Sequence, residues 1–306
     1  MAGIISTANF SAALQPIVNK WVGDDLKDLA PIYTKIFDVR QSDKHFEEFG
    51  VLSGFGLARV REQGAPFTID TSNQMHLPRF QHAEYALGFH ITKIMIEDGM
   101  AMGQSKRFVK MLTKAMAKTP DIVCANILNN AFDSAYTMKG GDGKQLIATD
   151  HPSSTGNQSN YLSTGAADIS ELALEQIHID IRKATDDRGL RIALLPQKII
   201  VPPELVHEVD RFLSSPDRPN TADRAINSIN NMNVFPGGVV VNPYLIDTDA
   251  WFVTTDRDEG LVYMERQALR VDTQNDFATD NVLVKGTQRF SAGWIDFRGI
   301  FGSAGA

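Results

Sequence analysis

The spacing of apolar residues divides this chain into stretches of different period. Residues 1–45 carry short apolar clusters (Ile4, Ile5, Leu14, Ile17, Val18, Trp21) broken at Pro16 and Pro31, which predicts an arm with one or two short helices. Trp21, Ile32, Tyr33, Ile36 and Phe37 make it too apolar for a free tail. From Phe46 to about Phe80 the pattern turns to short alternating pieces, 54–61 and 67–70, divided by Gly64, Ala65 and Pro66. This is hairpin chemistry. Tyr85, Leu87, Phe89 and Ile91 then alternate strictly and predict a return strand entering a core. Fixing backbone costs about 1–2 kcal/mol per residue and a lone two-stranded ribbon is marginal, so the hairpin is expected to be ordered against a neighbour.

Around Glu97 the period becomes helical. Phe108, Met111, Leu112, Ala115 and Met116 form the predicted inward stripe, with Lys106, Arg107, Lys110, Lys114 and Lys118 largely off it. Thr119 and Pro120 read as N-cap and first residue of a second or kinked segment carrying Ile122, Val123, Ile127, Leu128, Ala131 and Phe132. Residues 137–165, rich in Gly, Ser, Thr and Asn, predict a long loop. Asp168 to Glu171 has capping-box spacing and opens a helix with Leu174, Ile177 and Ile181 inward. Strands are predicted at 192–195 and 198–201, stopped by Pro202 and Pro203, then a helix over 204–213 and an edge loop with a short helix over 214–235. Val239 to Phe252 reads as two core strands joined by a corner at Asn242 and Pro243, with an acidic loop through Asp247 and Asp249 before Trp251. Proline at 243 sets its own φ and pushes Asn242 towards extended geometry, which makes the corner rigid. Closing strands are expected at 261–264, 268–273 and 281–297. The class is α+β.

Composition narrows the functions open to this pattern. With 306 residues, 43% of them hydrophobic, the chain can build a large core. A net charge of −7 marks no basic domain, which disfavours phosphate-driven nucleic-acid recognition as the main activity. The single cysteine, Cys124, excludes an intrachain disulfide and any multi-cysteine metal site; among Ile122, Ala125 and Leu128 it reads as a buried thiol. No stretch approaches the roughly 20 apolar residues of a membrane span, and the N-terminus lacks the pattern of a secretory signal.

Candidate chemistry is sparse. Lys139 to Lys144 has glycines suited to an anion but Gln145 where a phosphate loop needs Ser or Thr, so it reads as a loop tip. Asp150 and His151 with Ser153 and Ser154 lack a nucleophile elbow; a soluble hydrolase using Asp150 and His151 is the remote alternative, and a turn at His151-Pro152 is the simpler reading. Asp247, Asp249, Asp256, Asp258 and Glu259 lack calcium-loop spacing, because Trp251 stands where a ligand is needed. Neither a dinucleotide fingerprint nor a histidine metal pair is present. Catalytic, cofactor and metal residues are therefore all expected to be none.

Several local sequences resemble the major capsid proteins of tailed phages, most closely the Mu-like major head subunit group with the Hong Kong 97 fold. These are Thr149-Asp150-His151-Pro152, Val201 to Leu205, Thr221-Ala222-Asp223, Val240 to Leu245 with Asp247 to Phe252, and Arg289-Phe290-Ser291, Gly293-Trp294 and Asp296 to Gly299. The resemblance is strong from about residue 137 onward and rests mainly on architecture before it. It implies a virion shell subunit, assembled in the host cytoplasm, with an N-arm (1–45), an E-loop (46–88), a P-domain strand and long spine helix (89–135), an A-domain (136–256) and P-domain closing strands (257–306). It also implies hexamers and pentamers closing an icosahedral shell around double-stranded DNA, which touches the subunit only weakly, together with a portal and possible decoration proteins. An encapsulin-like nanocompartment is the alternative within the same fold. Expected contacts between subunits are Arg59, Arg61, Glu62 and Arg79 on the hairpin and Trp21 and Phe37 on the arm; Asn242, Pro243, Asp247, Asp249 and Trp251 define the corner.

Two expectations go beyond membership. The sequence starts at Met1 without a long charged helical extension, which points to a separately encoded scaffolding protein. Some members of this fold link subunits covalently through an E-loop lysine, yet no lysine lies between Lys44 and Lys93. Particles denatured in SDS are expected to run as a single monomer band; a ladder of covalent oligomers would reject a shell held without isopeptide bonds.

Overall fold

The computed structural model describes residues 7–27, 29–92, 94–95, 101–217, 226–276, 279 and 281–306. Ile4, Ile5, Glu97 and Thr221-Ala222-Asp223 lie outside the described residues. The arm contains one helix, α1 (Thr7–Lys27), with Pro16 inside it, rather than one or two short ones, followed by a 3-10 turn at Tyr33–Lys35. It then enters the fold as β1 (Asp38–Gln41), parallel to a C-terminal strand. After the short strands β2 (Phe46–Glu48) and β3 (Arg79–Gln81), β4 (Ala83–Ile91) leads to the long helix α2 (Ala101–Asn129). The loop at 137–165 contains a small ribbon, β5 (His151–Ser153) and β6 (Gly156–Gln158).

Helix α3 (Glu171–Lys183) begins not at Asp168 but at Ser170, whose hydroxyl accepts the Ala173 N–H at 3.2 Å. Beyond it, residues 192–195 form no strand, and Ala193 adopts φ 58°. The strand there is β7 (Pro196–Val201) alone, followed by α4 (Val206–Ser214), α5 (Ser228–Asn231) and β8 (Val239–Val241). The chain ends with β9 (Trp251–Thr255), β10 (Leu261–Asn275), β11 (Val282–Trp294) and β12 (Ile300–Ser303). The two strands expected at 261–264 and 268–273 are thus one strand, with register shifts between Glu265 and Arg270 that bend it.

Two four-stranded sheets result, in the orders β1-β10-β11-β4 and β12-β9-β7-β8. In the second sheet period-two alternation sends side chains to opposite faces. Ile199, Val201, Trp251, Val253 and Phe301 meet Leu174, Ile177 and Ile181 of α3. Ile200, Phe252 and Ile300 meet Cys124, Ile127 and Leu128 at the end of α2. Both faces are covered, which is why Ile199 to Val201 of β7 and Trp251 to Val253 of β9 are apolar at successive positions instead of alternating. The first sheet packs Val271, Val282 and Val284 against Val109, Leu112 and Met116 of α2 and Val18 and Val22 of α1. Cys124 is a buried free thiol, its pKa pushed up by burial and then by the Asp121 charge.

Helix α2 corrects the sequence reading twice. Its buried stripe runs through Ser105, Val109, Leu112, Met116 and Pro120, while Phe108, Met111, Ala115 and Ile122 are exposed. Leu112 and Met116 belong to both the expected and the observed stripe, so apolar spacing on a helix with two apolar flanks did not decide between them. Thr119 is no N-cap: the helix runs through Pro120, and the Thr119 hydroxyl donates back to the Ala115 carbonyl at 3.0 Å. Proline leaves the carbonyl four residues earlier without its helical donor. That carbonyl, Met116, accepts instead from Gln288 Nε2 of β11 at 3.0 Å, in a buried setting.

Gln288→Leu leaves the Met116 carbonyl buried and unpaired and is expected to destabilise the chain by about 1–3 kcal/mol in denaturant unfolding. Adding Pro120→Ala restores an N–H for that carbonyl and should recover most of the loss; a double variant no more stable than Gln288→Leu alone would refute this account.

Candidate assembly surface and its bracing

The hairpin between β2 and β3 is regular only at its base. Phe46, Glu47 and Glu48 pair with Gln81, Phe80 and Arg79, and the ladder continues through Val51 N–H to the His76 carbonyl (3.0 Å) and Ser53 N–H to the Asn73 carbonyl (3.0 Å). Phe80 is buried with its ring edge-on to Phe49, centroids 5.6 Å apart. The 137–165 loop braces this base: Leu77 N–H donates to the Gly140 carbonyl at 2.9 Å and Arg79 N–H to that of Lys139 at 2.8 Å. Gly140 has φ 73°, and a Cβ there would stand 2.2 Å from the Leu77 carbonyl oxygen. Only glycine fits, so this segment is a brace for the hairpin rather than a bare loop tip.

Beyond Ser53 the expected strands at 54–61 and 67–70 do not form. Phe55, Leu57, Val60, Phe67 and Ile69 stand 64–100% exposed, around a groove of about 1170 Å³ closed on one side by Arg188 and Leu190. Arg59, Arg61 and Glu62 are exposed on this part, Arg61 donating from Nε to the Ala65 carbonyl at 2.5 Å. The returning limb is clipped at Asp70, whose carboxylate accepts Gly56 N–H at 2.7 Å and Arg188 Nη1 at 2.7 Å. Those contacts, the Gly56 N–H first and Arg188 next, hold its carboxyl below the usual range. Arg188 also donates to the Thr71 carbonyl.

Arg188 belongs to a stiff turn. Asp186 accepts the N–H groups of Arg188 and Leu190, each at 2.8 Å, and Asp187 receives Arg298 Nη2 at 2.8 Å. Arg298 is buried; it also reaches Gln158 Oε1 (2.8 Å), the Thr185 carbonyl (2.9 Å) and Asp296 (3.2 Å) and lies over the Phe297 ring. Removing one partner from such a buried charged set costs about 3–5 kcal/mol. Sequence reading gave neither Arg188 nor Arg298 a role, since Asp70 lies 118 residues from Arg188 and Asp187 lies 111 residues from Arg298.

The other expected contact residues are placed differently. Arg79 is half-buried at the hairpin base, 3.6 Å from Glu48 and with its guanidinium 3.8 Å from the Phe46 ring centroid. Phe37 is buried in the core of its own chain, so it anchors the arm internally and is not free for a neighbour. Trp21 packs in part against the α1–α2 cluster. The corner joins strands that are not neighbours, because β7 lies between β8 and β9. Asn242 is buried, its N–H donating to the Val201 carbonyl (2.9 Å) and its Oδ1 accepting Tyr244 N–H (3.1 Å); Pro243 is exposed. Asp247 accepts Asp249 N–H at 3.1 Å, and fully buried Trp251 donates to the Ala167 carbonyl at 3.0 Å.

The remote hydrolase pair does not form. Asp150 pairs with Lys144, whereas His151 is 0% exposed, stacked on Phe297 at 3.8 Å, with Nδ1 2.5 Å from Asp142 and Nε2 3.1 Å from Asn160. His151 thus starts the strand β5 with its own side chain buried, rather than a turn. Burial pushes the Asp142 carboxyl up, but the contacts with His151 and the Lys144 N–H, together with the more distant His76, hold it below the usual range. Ser153 and Ser154 donate to the Gly156 and Asp187 carbonyls, away from the imidazole. Among the described residues no three His, Cys, Asp or Glu side chains converge as a metal site.

The profile of the phage capsid protein family matches residues 78–303. The procapsid protein of bacteriophage JBD30 is 15% identical, with a TM-score of 0.52 over 96% of this chain and 75% of that one. The capsid of the native GTA particle is 14% identical, with a TM-score of 0.55 over 90% of each chain. For the capsid of cyanophage P-SCSP1u the values are 10% and 0.55 over 90% and 88%. No curated protein matches. At these identities the shared property is the fold, which is that of the Hong Kong 97-type capsid proteins. With a family match across most of its length and that fold beneath it, this chain belongs to the phage capsid protein family and is a structural component of the virion shell, not an enzyme.

Proposed function

We infer that this chain is the repeating tile of an icosahedral phage head, assembling as hexamers and pentamers around double-stranded DNA. The observation that carries this is the hairpin: a rigidly braced base followed by residues 54–72 that expose five large apolar side chains and lack a ladder partner in their own chain. An exposed apolar surface of this kind marks an interaction site. The stretch 46–88 serves as the E-loop reaching an adjacent tile, α2 as the spine helix of a P-domain with the sheet β1-β10-β11-β4, and 136–256 as the A-domain around the second sheet. The N-arm (1–45) is held to its own tile at Phe37, at β1 and through Val18 and Val22 of α1, which leaves the unburied part of Trp21 as its apolar contact for a neighbour.

Arg59, Arg61 and Glu62 are the charged contacts of the E-loop with the neighbour. Each exposed pair contributes little, and the stability of the shell comes from many modest interfaces of about 800 Å² per partner, reinforced by their number. The absence of regular structure beyond Ser53 supports an E-loop that takes its final shape on docking. A separate scaffolding protein, a portal and decoration proteins complete the assembly, and the Mu-like head subunits are functional counterparts. A family match to phage capsids favours a phage head over a cargo-holding nanocompartment.

Negative-stain images of the purified protein with its scaffold are expected to show closed shells. Arg59→Glu with Arg61→Glu should abolish or sharply reduce them while the urea midpoint of the subunit changes by no more than the equivalent of about 0.5 kcal/mol. Normal shells from that variant would remove the E-loop charges from the interface; a wild-type protein that stays monomeric under all assembly conditions would remove the tile itself.

A further inference from the structure

Helix α2 carries a charge pattern that the rest of the chain lacks. Residues 101–119 hold Lys106, Arg107, Lys110, Lys114 and Lys118 and no Asp or Glu, in a chain of net charge −7. Four of these lysines stand at steps of four residues, which places them in one row along one face of the helix. The opposite face is the buried one, through Val109, Leu112 and Met116, so the row points away from the core and is exposed. Lys110 lies 3.8 Å from Asp25 of α1. Among the described residues the other four cations make no ion pair.

We propose that this face of α2 binds double-stranded DNA through its phosphates and forms the inner lining on which the packaged duplex lies. From Lys106 to Lys118 the row spans about 18 Å at 1.5 Å per residue. A duplex of that length carries about ten phosphates, at one charge per about 1.7 Å of axis. An acidic protein partner fits less well. Four of the five cations are lysines, which are depleted at protein–protein interfaces, and the apolar Met111 and Ile122 flank the row rather than filling its centre. A run of cations uninterrupted by Asp or Glu, in a tile whose net charge is −7, also gives this face a local preference for an anionic polymer. This inference rests on the reading of the chain as a DNA-enclosing tile, and it names the surface that meets the DNA.

The test is binding of the purified full-length subunit to a fluorescent 24-base-pair duplex of mixed sequence between about 50 and 200 mM salt. With four unpaired cations engaged, log K against log salt should fall with a slope of about −3 to −4. Lys106→Gln, Arg107→Gln, Lys114→Gln and Lys118→Gln combined should lower affinity at least tenfold and flatten the slope towards zero, whereas arginine at the three lysine positions should keep both. If the fourfold variant does not fold, the pairs Lys106→Gln/Arg107→Gln and Lys114→Gln/Lys118→Gln should each reduce the slope by about two. Unchanged binding in the folded variants, no binding by the wild type, or tighter binding of a polyglutamate peptide than of the duplex overturns the proposal. Shell closure is scored separately by negative stain. Variant shells that close but no longer bind duplex support the lining, and a wild type that binds duplex yet never closes shells overturns the function reading instead.

Discussion

The structure depends on the alternation of two strands buried on both faces. Ile199 and Val201 point to α3 while Ile200 between them points to the end of α2, and Trp251, Phe252 and Val253 repeat the pattern on β9. Because the side-chain period is two, a one-residue slip of either strand would exchange both sets. It would drive Trp251 away from the Ala167 carbonyl that accepts its indole N–H. This sheet therefore fixes where the two helices lie, and through α2 it fixes the first sheet as well.

Around that apolar frame, long-range polar contacts tie distant segments at single points. Asn160, fully buried, accepts Ala148 N–H and donates to the carbonyls of Leu146, Phe297 and Ile300. Arg298 joins the ribbon β5–β6, the 185–187 turn and the C-terminal segment. Gln288 supplies what Pro120 withholds from α2. Buried polar groups of this kind add little net energy when paired and cost much when unpaired. Their effect is to make one arrangement of the loops acceptable and the others expensive.

The hairpin shows the opposite regime. At its base, glycine at 140 lets two backbones approach closely enough to hydrogen-bond, and the ladder is held. Past Ser53 apolar residues face solvent, and the clip from Asp70 to Arg188 lies on the surface, where a charged pair has modest strength. A subunit with a firm frame and a weakly held apolar extension is suited to association with its own kind, because ordering the extension can be offset by burial on a neighbour.

Local pattern determined much by itself. The strand signals in Lys198 to Val201 and Val239 to Phe252 and the long helix were legible because each is set by residues close in sequence, whereas the hairpin was legible only as a hairpin, its strands forming at the base and not at 54–61 and 67–70. The resemblance in the C-terminal half likewise carried the family. Tertiary structure alone decided the rest. The register of the stripe on α2, the run of that helix through Pro120, the insertion of β7 between β8 and β9, the burial of Phe37 and the roles of Arg188 and Arg298 all follow from partners far along the chain. Residue type and spacing state what a side chain needs, whether an apolar surface, a donor or a counter-charge. Only the packed chain, in which one surface excludes another and buried polar groups must be paired, decides which distant residue supplies it.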